Sequence, residues 1–376
     1  MILNELRGPF LFGVGLFSAL TIATVVMQEA LKFIIKWRLP AEMFFQLVGF
    51  ATPEFIVLSI PMGALLGTLL AMGRLSNDNE IIALRASGIS LYRILTPCFV
   101  VGIVLSCVTF LGNELIVPYC NNKATTMRNS IITGSKGMGS RQRLSWDFYD
   151  PGSGQLQWVL VAEEMEGTTL HDVVLLYFDP VLDLGSDASS RLNNFMLEAK
   201  RAEWQDNSWT FYNYRHVWLY QSESGTERAI DVADKLTLPD FNLMPESLAL
   251  RQLDPYDLTI FQLKRLVHDK MKVEGLSASD KEVLDYRTTM HFKTSIPLTP
   301  LIFVVIAVPL AIIPLRSSRA MGMGLALLIV LIYYSMFIVS QKMGTAGVLL
   351  PVIAAWTPNF LLLVVGTVLM WRRDQN

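Results

Sequence analysis

The sequence is short of most of what a soluble enzyme would carry. Charged residues make up only 17% of its 376 positions and the formal net charge is −2, so the chain as a whole advertises neither nucleic-acid binding nor an acidic partner, and any electrostatic role must be local. Cysteine occurs three times, as Cys98, Cys107 and Cys120. None forms a CxxC pair, which excludes a disulfide framework, and the first two sit in an apolar run as small hydrophobes. The P-loop pattern is missing: "GSKGMGS" at 134–140 has glycines but no Gly-Lys-Ser/Thr end, so ATP is not expected on this chain. H-E-x-x-H and G-x-S-x-G are also absent, and none of His171, His216, His268 and His291 lies well inside an apolar run. Metal-dependent hydrolysis within a membrane is thereby ruled out as a reading, and no metal or cofactor is expected.

What is plentiful is hydrophobicity, at 52% of residues with a mean hydropathy of +0.40, a composition of the membrane class. Crossing a hydrocarbon core of about 30 Å takes roughly 20 apolar residues. Suitable runs fall at 9–31, 44–72 and 94–118, then at 296–315, 321–341 and 348–371. The first is longer than the core of a cleaved signal peptide and lacks an A-x-A site, so it reads as a retained span that also targets the chain.

Arginine and lysine in short loops set orientation. Arg7, Arg74, Arg85, Arg93, Arg316, Arg319, Arg372 and Arg373 fall on one side and outnumber Lys32, Lys36, Arg38 and Lys342 on the other. Both termini are therefore expected inside and the long central segment outside. That segment holds period-two stretches such as "QLQWVLVAEE", "DVVLLYFDP", "SWTFYNYRHVWLY" and "AIDVADKLTL", broken by Gly, Asn, Asp and Ser. An antiparallel β domain of sandwich or jelly-roll type is predicted. From Asp257 the period turns helical, with Leu258, Phe261, Leu263, Leu266 and Val267 near one face. The expected organisation is spans one to three over 1–118 with a cytoplasmic helix at about 76–88, a β domain over 119–256, a helical connector over 257–290 and spans four to six over 291–376.

Several residues invite a functional reading. Glu54 and Glu114 approach membrane depth, where carboxylates are costly, although both fit an interfacial position. Pro53 and Pro61 should kink the second span, and Gly63 with Gly67 makes a GxxxG face suited to a close helix neighbour. Lys32 and Lys36 lie one helical turn apart beside Arg38. They read either as headgroup anchors or as a basic rim for a phosphorylated amphiphile.

The loop "LSNDNEIIALRASGIS" at 75–90 has a local logic of its own. Asn77 and Glu80 have the spacing of a capping box, Ile81, Ile82 and Leu84 supply apolar contacts, and Gly88 can end a helix in the left-handed conformation. A helix of two to three turns is too short to stand alone in water. It lacks the Lys and Arg of a membrane-surface helix, so Asn77, Glu80, Ile81, Leu84, Arg85 and Gly88 are expected to meet a cytoplasmic protein.

Three stretches carry a family resemblance: "LSIPMGALLGTLLAMGRLSNDNEIIALRASGIS" at 58–90, "GNELIVPYCN" at 112–121 and "FKTSIPLTPLIFVVIAVPLAI" at 292–312. With three plus three spans around an exported β domain, the chain resembles the LptF/LptG (YjgP/YjgQ) permeases of the lipopolysaccharide export ABC transporter over nearly its whole length. The resemblance implies an inner-membrane, non-catalytic subunit paired with a second such permease, as a heterodimer or homodimer. It implies an LptB-like ATPase dimer, which holds ATP and Mg, docked on the helix containing Glu80. It also implies lipopolysaccharide contacting Lys32, Lys36 and Arg38, and passage through LptC-like and LptA-like β proteins by strand addition. The competing reading from the residues alone is a membrane-anchored envelope adaptor whose β domain binds another envelope protein.

Overall fold

The computed structural model describes residues 2–37, 41–88, 90–135, 144–149, 156–178, 195–205, 208–222, 225–238, 244–251, 253–272, 276–312 and 319–374. The chain forms two compact units, one of Met1–Arg128 with Arg287–Asn376 and one of Asn129–Tyr286.

The first unit is helical. It contains α1 (Ile2–Trp37), α2 (Ala41–Asn77), α3 (Glu80–Ala86) and α4 (Leu91–Leu111). A π turn at Gly112–Ile116 follows and leads into α5 (Val117–Ser135). After the second unit come α8 (Lys281–Ser295), α9 (Thr299–Ala311), α10 (Arg319–Thr345) and α11 (Pro351–Asp374). Among the described residues six helical stretches are long and apolar enough to cross a membrane, by length and composition. They are Ile2–Thr24, Phe44–Asn77, Arg93–Met127, Lys281–Ala311, Met321–Thr345 and Pro351–Arg372. The third runs past the expected end at 118, and the fourth begins well before the expected start at 296 and ends, among the described residues, at Ala311. The helix passes residue 118 because the π turn shifts the hydrogen-bond pattern, so Pro118 falls in the first turn of α5, where its missing N–H is tolerated.

The core of this unit is the seam of α2 and α9. Leu65, Leu66 and Met72 of α2 and Phe303, Ala307 and Val308 of α9 are buried in one cluster. The apolar residues all round α9 match its burial on nearly every side. Lipid tails are as apolar as leucine, so burial of hydrocarbon drives little here and close packing has to do so. α2 runs through Pro53 and Pro61 as one helix.

The second unit holds a seven-stranded antiparallel sheet: β1 (Leu144–Tyr149), β2 (Leu156–Ala162), β3 (Glu164–Glu166), β4 (Thr169–Tyr177), β5 (Phe195–Gln205), β6 (Ser208–Ser222) and β7 (Gly225–Leu238). Their order is β1-β2-β4-β5-β6-β7, with β3 paired to β4. The sandwich or jelly-roll expectation resolves into one sequential sheet among the described strands. One face carries the core, with Trp146, Leu160, Leu175, Leu197, Trp209 and Phe211 buried.

That sheet is creased. In four neighbouring strands two successive residues turn away from the core: His171 and Asp172, Lys200 and Arg201, Tyr212 and Asn213, Asp234 and Lys235. The ladder skips Asp172, Lys200, Asn213 and Asp234 in a transverse row, and Asp172 and Asn213 adopt φ of 47° and 49°. Asp and Asn tolerate that left-handed backbone better than most residues. Matched irregularities of this kind bend strands and allow the inward alternation to restart in the opposite phase, at Val173, Ala199, Tyr214 and Ala233.

The connecting helices α6 (Pro245–Leu250) and α7 (Ile260–Lys272) complete the unit. Trp146 donates its indole N–H to the carbonyl of Leu248 at 2.9 Å. α7 starts with a reciprocal cap: Gln262 N–H reaches Thr259 Oγ1 at 3.2 Å and Thr259 N–H reaches Gln262 Oε1 at 2.8 Å. Leu258, Leu263 and Leu266 are buried as expected, whereas Phe261 is 75% exposed. Spaced two residues from Leu263, Phe261 lies off the inward stripe, and Lys270 occupies that stripe instead, only 3% exposed and ion-paired to Glu282.

Candidate functional site

The short helix follows α2 after a turn of two residues. Asp78 N–H still bonds Arg74 O at 2.9 Å, Asn79 N–H bonds Ser76 O at 3.1 Å, and Asn79 has a left-handed φ of 58°. α3 then begins at Glu80, with Ala83 N–H on Asn79 O at 3.0 Å. The capping box expected at Asn77 is not formed. Asn77 is the last residue of α2, because the apolar face extends through buried Leu75, and a cap must have a non-helical backbone. Asn79 is the N-cap, without a side-chain cap bond. At the other end Gly88 has φ 84° and its N–H meets Arg85 O at 2.9 Å.

The helix is docked on its own unit. Ile81 is 2% exposed and belongs to the same core cluster as Leu75 and Ile94, with Leu84 packed at its edge. Ile81 therefore holds α3 to the spans and offers no surface to a partner, contrary to its expected role in partner contact. Ile82 and Arg85 are exposed. Between α3 and the spans is a cavity of about 280 Å³, lined by Leu3, Leu75, Ile81, Leu84, Ile94 and Glu80. Glu80 Oε2 is buried with no hydrogen-bond partner. A carboxylate in that state is expensive to keep and gains most from an incoming cation.

The glycine face of α2 lies on α1. A Cβ on Gly63 would stand 2.5 Å from Val14 Cγ2 and 2.9 Å from Val14 N, and one on Gly67 would stand 2.9 Å from Phe10 Cα. Pro61 lies a half-turn before Gly63 in the same helix. Lys32 and Lys36 fall in α1, but their side chains, and Arg38 entirely, lie outside the described residues. Glu54 accepts a hydrogen bond from Asn121 Nδ2 at 3.0 Å, and Lys123 Nζ sits 4.8 Å from the Tyr119 ring centre.

Sequence reasoning missed a buried polar cluster joining α8, α9, α10 and α11. Asn359, 2% exposed, donates to Ser295 O at 2.8 Å and accepts from Tyr333 Oη at 3.0 Å; Tyr333 and Thr299 hydroxyls are 2.8 Å apart. A polar asparagine deep in "PVIAAWTPNFLLLVVG" was the available signal. Among the described residues no group of three or more His, Cys, Asp or Glu is placed to hold a metal ion.

Six helical stretches long and apolar enough to cross a membrane, an inserted antiparallel sheet and a short helix docked between the second and third spans are the architecture of a multi-pass membrane protein. The profile of the family "Lipopolysaccharide export system permease LptF/LptG" matches residues 1–372, and the chain belongs to that family. It is 22% identical over 339 residues to the lipopolysaccharide export system permease protein LptF of Escherichia coli (strain K12), covering 89% of this chain and 84% of that protein. To LptG of the same strain it is 24% identical over 330 residues, covering 86% and 84%. To LptG of Haemophilus influenzae it is 20% identical over 314 residues, covering 81% and 80%.

Proposed function

We propose that this chain is the permease subunit of an ATP-driven exporter that extracts lipopolysaccharide from the inner membrane and passes it to a periplasmic β bridge. The observation that carries the reading is the mounting of α3. A two-residue turn ties it to α2, and Ile81 anchors it in the core that α2 shares with α9. A push on α3 is thus delivered to the span at the centre of the unit. The pusher in this reading is a separate LptB-like ATPase dimer that holds ATP and Mg and meets the exposed side of α3, with Glu80 turning outward to one of its cations. A second permease of the same type covers exposed apolar residues of α1 and α10 such as Leu11, Leu328 and Leu331. The two enclose a cavity in which the lipid's phosphates meet Lys32, Lys36 and Arg38.

Both termini are cytoplasmic and the β unit periplasmic in this reading, from the distribution of arginine. The edges β1 and β7 of the described sheet would then meet LptC-like and LptA-like strands.

Purification in mild detergent followed by mass spectrometry of the co-purifying proteins and lipids tests the proposal. A P-loop ATPase and lipopolysaccharide are the expected companions. Recovery of a periplasmic protein with neither of them would leave the membrane-anchored adaptor as the correct reading.

A further inference from the structure

A cavity of about 590 Å³ opens among α1, α2, α9 and α10, within the size range of small-molecule sites. Its lining changes character along the helices. Arg74 Nη2 lies 2.9 Å from Glu5 Oε2, and Arg74 Nε lies 3.8 Å from Asp78 Oδ2. Phe12, seven residues or about 10 Å along α1 from Glu5, lines the apolar part with Leu69, Leu310 and Met323. Among the described residues the charged rim holds two carboxylates and one guanidinium. It stands at the ends of two membrane-crossing stretches, Ile2–Thr24 and Phe44–Asn77, where lipid headgroups lie.

Two glycines stand in the wall of this space. A Cβ placed on Gly8 or Gly73 would meet no atom within 4 Å, in contrast to the crowded Gly63 and Gly67.

We propose that this cavity binds a zwitterionic phospholipid of the ethanolamine type. Its ammonium meets Glu5 and Asp78, its phosphate meets Arg74, and one acyl chain lies along Phe12, Leu69, Leu310 and Met323. An anionic phospholipid lacking an amine offers no cation to Glu5 and Asp78 and is disfavoured. The bound lipid touches α1 and α2 from one group of three spans and α9 and α10 from the other, so it acts as a wedge where the two groups meet. This site differs from the proposed lipopolysaccharide contacts at Lys32, Lys36 and Arg38.

The full chain in mild detergent, incubated with phosphatidylethanolamine or with phosphatidylglycerol of the same acyl chains, is examined by native mass spectrometry. Severalfold greater retention of phosphatidylethanolamine is expected, with the preference lost in the Glu5→Gln, Asp78→Asn double variant. Gly73→Leu fills the cavity without touching the charges. It is expected to lower retention of both lipids while leaving the melting temperature unchanged or higher. Equal retention of the two lipids by the unaltered chain overturns the proposal, as does a Gly73→Leu variant that retains them normally. If the double variant instead loses a co-purifying cytoplasmic protein while lipid binding is unchanged, the rim is a protein dock and the lipid site is refuted.

Discussion

A Cβ on Gly67 would stand 2.9 Å from the backbone Cα of Phe10 and 3.0 Å from its nitrogen, so α1 and α2 touch there backbone to backbone. Neither atom can retreat without moving a helix. Gly67→Leu is expected to destabilise the helical unit by about 1–3 kcal/mol or more through overpacking, read as a lower melting temperature in detergent. Gly73→Leu, on the open side of the same helix, is the control that should not.

Reversing the charge at Glu80 tests the mounting of α3. Glu80→Lys would place an ammonium where a buried carboxylate oxygen now has no partner. It should preserve membrane insertion but weaken co-purification of the proposed ATPase partner and separate ATP hydrolysis from the proposed lipid extraction. Normal co-purification and normal transport in this variant would falsify the docking of an ATPase on α3.

Neutralising Lys32, Lys36 and Arg38 together addresses the proposed lipid contacts. Crosslinking of lipopolysaccharide to the spans should fall, and more steeply at low ionic strength, where charges are least screened. Unchanged crosslinking would return the three residues to the role of headgroup anchors.

The crease in the sheet makes a prediction about Asn213, whose φ is 49°. Alanine there gives up the tolerance of asparagine for the left-handed region and should cost about 1 kcal/mol, whereas Asn213→Gly should be neutral or better. Hydrogen exchange across β6 distinguishes them. Similar protection in the two variants would mean that the backbone relaxes without strain.

Lys270 gives the β unit a dependence on alkaline pH. Burial, and then the Arg251 guanidinium, lower its pKa, while the ion pair with Glu282 works in the opposite direction. The unfolded chain therefore binds this proton more tightly than the folded one. Stability contributed by this group should rise with pH from the lowered value up to the ordinary lysine value of about 10.4. The slope should flatten in Lys270→Met, and an identical slope in that variant would assign it to other groups.

Much of this architecture was legible because it depends on local periodicity. Long apolar runs gave the six membrane-crossing stretches, and period-two stretches gave β2, β4, β6 and β7. "NEIIALRASG" revealed a short helix with Gly88 at its end. The errors lie where a neighbour decides. Asn77 has the composition of a cap but is helical, since buried Leu75 carries α2 past it. Ile81 looks like a partner contact but is spent on the chain's own core.

The sequence by itself determined which segments are spans, which are strands and which family the chain resembles, since these follow from patterns within about 20 residues. Only the tertiary structure decided that Gly67 meets Phe10, that Arg74 meets Glu5, that Asn359 bridges Ser295 and Tyr333, and that four strands share one crease. Each of these joins positions distant in sequence or on separate strands. Residue type alone cannot specify such contacts, because any of several helices or strands could have supplied the partner until packing brought one of them within reach.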